Sequence, residues 1–166
     1  AQFLITPLSQ VYNDQENQFS AQYTKSKVYT LMTIRSHDQY NTTLYGLDDR
    51  YRGVFGQRRV LFINQQDIDE AGFVADQWVD IESVFSDGVK RVVKSFRIVP
   101  YNIPSGSLAA YYPETNPLVA LSSHDQYAKI PASKSVPVIL HAGDAPEHFN
   151  LFTEVDPENA EKKVEI

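Results

Sequence analysis

The sequence predicts a mainly β fold, a compact barrel of about six strands with one or two short helices. Three observations carry this expectation. Six runs along the chain are β-branched or aromatic with few breakers. Helix signals are confined to two short stretches, and the connections are long and punctuated by Gly and Pro. Nothing in this pattern suggests a parallel Rossmann sheet.

The elements follow in order. Residues 1–27, rich in Gln, Asn and Ser, read as an irregular lead-in from an upstream domain. The run "VYTLMTIR" (28–35) has the texture of a buried strand, as does "RRVLFIN" (58–64). In "NQQDIDEAG" (64–72) capping polar residues, early acids and a terminal Gly72 predict a short helix. In "QWVDIESV" (77–84), Trp78, Asp80 and Glu82 alternate with Val79 and Ile81, the period of a half-buried strand. "DGVKRVVKSFRIVPY" starts at an Asp-Gly turn (87–88) and runs extended to Tyr101, so it pairs back on 77–84 as a hairpin with a slightly long connection. "SLAAYY" (107–112) and "SVPVILH" (135–141) supply the last strands. Between them, "TNPLVALSS" (115–123) makes a turn or two of helix, with Pro117 early, where its missing N–H costs nothing. The barrel domain is thus expected over 28–143, followed by an acidic tail over 144–166 whose main apolar anchors are Phe149, Leu151 and Phe152.

At 166 residues, with 42% apolar and 22% charged residues, the chain is one ordinary globular domain. No apolar run nears the ~18 residues that span a bilayer, so a soluble, cytoplasmic protein without a membrane partner is expected. Cysteine is absent, which excludes disulfides, thiolate metal sites and cysteine nucleophiles within this piece, and the four histidines are scattered. The opening "AQFLITPLSQ" has neither an initiator Met nor a signal-peptide pattern, which points to a piece of a longer polypeptide. Of the net charge of −6, residues 144–166 hold −5 (seven acids, two lysines), leaving the body at −1. A nearly neutral body offers no basic face for nucleic acid and no field to repel a small anion.

Three polar clusters stand at predicted strand ends, where loops on a rigid scaffold commonly bind ligands. In "TIRSHDQYNTT" (33–43), Arg35 offers a fork of donors suited to phosphate, while Ser36, Gln39, Asn41, Thr42 and Thr43 give short-reach hydrogen bonds. "AYYPETNPLVALSSHDQY" (110–127) is the second, and "IPASKS" (130–135), with Lys134 just before the last strand, is the third. The five residues Ser-His-Asp-Gln-Tyr occur twice, at 36–40 and 123–127. Adjacent residues cannot converge as a Ser-His-Asp relay, so a hydrolase triad is not supported by either copy. "DDRYRGVFGQRR" (48–59) is locally basic, and reads best as a solvated loop whose arginines pair with Asp48 and Asp49.

These motifs, in this order with "ADQWVDIES" and "VPYNIPSGSLAAYYPETNPLVAL" between them, resemble the C-terminal molybdopterin dinucleotide-binding domain of molybdopterin oxidoreductases, closest to the formate dehydrogenase-like alpha subunits. The resemblance covers about 28–141. It implies a double-psi β-barrel, two interlocked strand motifs about a pseudo-twofold axis, closing over molybdopterin guanine dinucleotide held by upstream domains. It places cofactor contacts on the loop after the first strand, at Thr33, Arg35, Ser36, His37, Gln39, Tyr40, Asn41, Thr42 and Thr43. Further contacts are implied at Tyr112, Asn116, His124, Ser133 and Lys134. Both Ser-His-Asp-Gln-Tyr loops would then line one cleft, one from each half of the barrel. Where many relatives have a Gly-Asp turn before the third strand, this chain has Asp76-Gln77.

The resemblance also implies that molybdenum or tungsten, a 4Fe-4S cluster and the catalytic groups belong to upstream domains, so that this piece orients the cofactor and has no catalytic residue of its own. Its partners would be those domains and the pterin. The alternatives are a self-contained small barrel enzyme, such as a decarboxylase or hydrolase, and a structural interaction module. A Cys-rich upstream motif would separate the first reading from both.

Overall fold

A computed structural model describes residues 26–37, 46–112, 114–125 and 127–146. The six expected strands are present: β1 (Tyr29–Ile34), β2 (Val60–Ile63), β3 (Trp78–Ser83), β4 (Arg91–Pro100), β5 (Ser107–Tyr111) and β6 (Val136–Ala142). One α-helix, α1 (Gln65–Ala71), and a 3-10 turn (Asn116–Leu118) complete the described elements. The strands close a barrel in the order β1-β5-β2-β4-β3-β6.

Local chemistry accounts for the element ends. Asn64 caps α1 by accepting from the Gln66 N–H at 2.8 Å, and Gly72 ends it in the left-handed region at φ 72°. The turn before β3 also needs a positive φ, and Asp76 supplies it at 63°, a conformation that Asp tolerates better than most non-glycine residues. β3 buries Val79 and Ile81 and half-exposes Trp78, Asp80 and Glu82, as its alternation requires. β3 and β4 pair antiparallel, with Ser83 opposite Arg91 across the 84–90 connection. Their register shifts between Val79 and Ile81, and the Asp80 carboxylate accepts the N–H of Ser95, itself at φ 60°. β4 is therefore a bulged strand rather than a straight one.

β1 runs parallel to β5, and β2 parallel to β4, while every other neighbour is antiparallel. This pairing pattern is unchanged when β1 is exchanged with β4, β2 with β5, and β3 with β6. The exchange swaps the two parallel pairs, and it matches α1, after β2, with the 3-10 turn, after β5. Ile68 from α1 and Leu118 from the 3-10 turn are both fully buried in the main core with Leu61, Phe96, Ile98 and Leu108. Each helical turn thus plugs the barrel with one aliphatic side chain.

The same symmetry bears on the repeated pentapeptide. The first copy follows β1, whose counterpart is β4, whereas the second lies between β5 and β6, whose counterpart is the connection from β2 to β3. The two copies occupy different halves but not equivalent places, and the repeat is not the trace of a duplicated loop.

Candidate cofactor-binding site

The carboxyl ends of β1 and β5 meet where the Tyr112 N–H donates to the Ile34 carbonyl at 2.7 Å. Arg35, the next residue after β1, lays its guanidinium over the Tyr112 ring, 5.4 Å from the centroid. From the other side, the Thr33 N–H donates to the Ser133 carbonyl at 3.0 Å, and Lys134 Nζ donates to the Thr33 carbonyl. Backbone bonds between distant segments thereby gather Thr33, Arg35, Tyr112, Ser133 and Lys134 at one corner of the barrel.

Lys134 sets the electrostatics described at this corner. Burial of the ammonium, helped by the charge of Arg35, pulls the Lys134 pKa below its usual value. No carboxylate among the described residues pairs with Lys134, and two of its three N–H donors remain unspent. The described residues of this corner are rich in donors and include no acid paired with Lys134, and this donor set suits the pyrophosphate and polar rings of a pterin dinucleotide.

The other candidate residues lie as follows. Ser36 is buried, and His37 is half exposed, its ring tilted against that of Tyr51 with centroids 4.9 Å apart. Asn116 opens the 3-10 turn five residues beyond β5, exposed, with the backbone behind it fixed by Thr115 Oγ1 donating to the Tyr111 carbonyl at 3.0 Å. Its side chain makes no hydrogen bond among the described residues, to Arg35 and Lys134 included. His124 is exposed and bridges to Pro131 at the base of a hairpin that leads to Ser133. Gln39, Tyr40, Asn41, Thr42 and Thr43 lie outside the described residues.

Sequence reasoning missed a brace behind the corner. Arg58, only 6% exposed, donates from Nε to Glu114 Oε1 at 2.7 Å and from Nη2 to the Tyr112 carbonyl at 2.7 Å, and its guanidinium lies 4.9 Å from the Tyr111 ring centroid. Beside it, Asp49, 3% exposed, accepts from the Tyr111 hydroxyl at 2.8 Å and from Arg52 Nη1 at 2.5 Å. Burial raises the Asp49 pKa, but the bonds from Tyr111 and Arg52 more than offset this and hold it below the ordinary value. The Asp49 Oδ1 is buried without a hydrogen bond, 3.7 Å from the His37 ring. The expected Arg52–Asp49 pairing is present, but the loop is not simply solvated. Asp49, Gln57 and Arg58 are buried, and Asp48 caps the Gly56 N–H rather than an arginine. The only sequence signal was the alternation of Arg with aromatic residues over 50–55.

Comparison with known proteins agrees with this chemistry. Residues 29–137 match the family described as Molydopterin dinucleotide binding domain. An uncharacterized oxidoreductase of Mycobacterium tuberculosis is 54% identical over 114 residues, which is 66% of this chain and 15% of its own length. Protein YdeP of Escherichia coli is 42% identical over 112 residues, again 66% of this chain and 15% of its own. The chain thus spans about 15% of the length of these curated relatives. The acetylene hydratase of Pelobacter acetylenicus aligns with 84% of this chain and 21% of its own at 10% identity and a TM-score of 0.49, too slight a likeness to bear weight.

Proposed function

The chain belongs to the molybdopterin dinucleotide-binding domain family, and from that premise we propose that it holds and orients molybdopterin guanine dinucleotide in a larger molybdenum or tungsten oxidoreductase of the formate dehydrogenase-like kind. The observation that carries this is the unneutralised Lys134 ammonium at the β1/β5 corner, whose charge is disfavoured by burial and by Arg35 until an anion arrives. The oxidoreductase name of the 54% identical relative and the ordered motifs of the sequence support it. The exchangeable strand pairing is what a double-psi barrel has, and it supports that description of the fold.

In this reading Lys134 and Arg35 neutralise the pyrophosphate, Asn116 presents its amide to a ring edge, and Tyr112, overlaid by Arg35, fixes the direction of the guanidinium. Ser36, His37 and Ser133 line the same corner and His124 stands at its rim, while the resemblance alone assigns contacts to Gln39, Tyr40, Asn41, Thr42 and Thr43. Arg58 acts through position, holding the Tyr112–Glu114 turn from which Asn116 projects. The bound group supplies the redox chemistry of the whole enzyme, with the 4Fe-4S cluster and substrate site on upstream domains of a cytoplasmic protein.

The test uses the full-length polypeptide, scored for oxidised-pterin fluorescence and guanine nucleotide released per chain. Lys134→Ala and Asn116→Ala are each expected to weaken retention by about 1–3 kcal/mol, one hydrogen bond or charge contact apiece. A full-length protein that carries no pterin dinucleotide, or variants that retain it as well as the parent, would refute the proposal.

A further inference from the structure

Asp49 is held from several directions, and one of its two carboxylate oxygens is left over. Its backbone pairs with that of Val54, N–H to carbonyl at 2.8 Å and back at 3.1 Å, which fixes the residue at the base of the 49–54 loop. Its Oδ2 accepts from the Tyr111 hydroxyl and from Arg52 Nη1, and the same Nη1 donates to the Arg35 carbonyl at 3.1 Å. One carboxylate thus ties the end of β5 to the chain that leaves β1. Its Oδ1 is buried without a hydrogen bond, and a buried acceptor left without a donor is costly. Among the described residues the group that faces it is Nδ1 of His37, 3.7 Å away on a half-exposed ring set against Tyr51. Closing that gap to hydrogen-bond length takes a displacement of only about 1 Å.

We propose that Asp49 is a positioning residue for the ligand of the β1/β5 corner. It takes the Nδ1–H of His37, so that the neutral ring turns Nε2 away from the barrel as an acceptor for a ring N–H or amino group of the ligand. This rests on the cofactor reading of the corner, and it supplies what the rest of the corner lacks. Lys134 and Arg35 bring only donors, which suit phosphate oxygens, whereas a pterin or guanine ring also carries N–H and amino groups that need an acceptor. An imidazole nitrogen can donate or accept, and the partner of one nitrogen decides the role of the other. An ionised carboxylate can only accept, so Asp49 leaves the neutral ring a single form. The burial of Asp49 and its bonds to Tyr111 and Arg52 keep that acceptor in place before any ligand binds.

Nitrogen-15 NMR of the full-length polypeptide, labelled in its histidine rings and held at about pH 8.5, above the ordinary imidazole range, reads the tautomer. His37 is assigned by the signal that His37→Gln removes. Two other rings serve as references: His124 Nδ1 lies 2.9 Å from the Asp125 carbonyl oxygen and His141 Nε2 lies 2.8 Å from Glu82 Oε2, so the first carries its proton on Nδ1 and the second on Nε2. His37 is expected to match His124. In Asp49→Asn, the Tyr111 hydroxyl and Arg52 still require an oxygen where Oδ2 stood, which turns the amide NH2 toward His37. The ring is then expected to take the form of His141, and retention of pterin dinucleotide, scored by fluorescence and guanine nucleotide released per chain, to fall several-fold. A parent His37 protonated on Nε2 overturns the proposal without recourse to any variant. So does an Asp49→Asn protein in which the His37 signal stays put, or one in which it moves while retention is unchanged. A polypeptide that shows the tautomer change but never carries pterin dinucleotide sinks the cofactor reading while upholding the hold of Asp49 on His37.

Discussion

The two parallel strand pairs are related by the barrel's pairing symmetry, yet their carboxyl ends are finished in opposite ways. At the ends of β2 and β4, α1 turns Asp67 inward, 0% exposed, and its carboxylate accepts from Lys27 Nζ at 2.6 Å, Ser105 Oγ at 2.7 Å and Gly106 N–H at 2.7 Å. A cation, a hydroxyl and a backbone amide around one buried anion is the donor set of a phosphate site, filled here by the chain's own acid. At the ends of β1 and β5, the counterpart turn carries Asn116 and no acid, while Lys134 and Arg35 supply the positive charge. Among the described residues, one corner is filled by a buried acid of the chain itself, and the other has no such acid on its Lys134.

The acid-filled corner should be the one on which stability depends. Asp67→Ala removes the acceptor for three donors and is expected to destabilise the chain by about 3 kcal/mol, at the low end for breaking a buried pair because Lys27 is partly exposed and can return to water. Denaturant unfolding measures this, and a loss below about 1 kcal/mol would show that the corner is not held by its acid. Burial raises the Asp67 pKa, but the Lys27, Ser105 and Gly106 bonds outweigh this and leave it below the ordinary value. The sign follows from linkage: the stabilisation is fully present above the unfolded carboxylate pKa, about 4, and is lost as pH falls through the lower folded value. Asp67→Asn should flatten that part of the stability curve.

Next in size is Arg58→Ala, which strips the brace from the Lys134 corner. Glu114 loses its partner and the Tyr112 carbonyl loses a donor, at an expected cost of about 2 kcal/mol. Arg58→Lys restores charge but not the fork, and should recover only part of it. If the corner is positioned by Arg58, the full-length Arg58→Ala variant also loses cofactor beyond what its stability loss explains. Unchanged retention would confine Arg58 to a structural role.

What the sequence made legible follows from the range of each signal. Strands such as 77–84 and the helix at 64–72 were readable because period and capping are local, and the observed β3 and α1 fall within those limits. Arg35 and Lys134 were picked out by residue type, and their convergence became visible only through long-range bonds such as Thr33 to Ser133. The Arg58–Glu114 pair spans 56 residues, and nothing local to either residue announces the other. Asp67 was read as a first-turn acid favoured by the helix dipole, whereas its larger role, collecting donors from before β1 and before β5, is a property of the closed barrel alone.

The smallest effect is expected where the chain is ordered but contributes nothing to either corner. Asp125, in the second Ser-His-Asp-Gln-Tyr copy, spends its carboxylate on two backbone N–H groups of an exposed turn, and both can be hydrated when it is removed. Asp125→Ala should therefore cost under about 1 kcal/mol in global unfolding. The amides of Tyr127 and Ala128 should exchange markedly faster, while those of β1 and β5 keep their protection, since the ladder that joins these strands does not pass through the hairpin. Hydrogen exchange on the same sample separates the two effects. Loss of protection in β1 would mean that the hairpin, through Ser133 and Thr33, helps to hold the Lys134 corner, and the contrast between the two corners would have to be redrawn with the hairpin as part of the second.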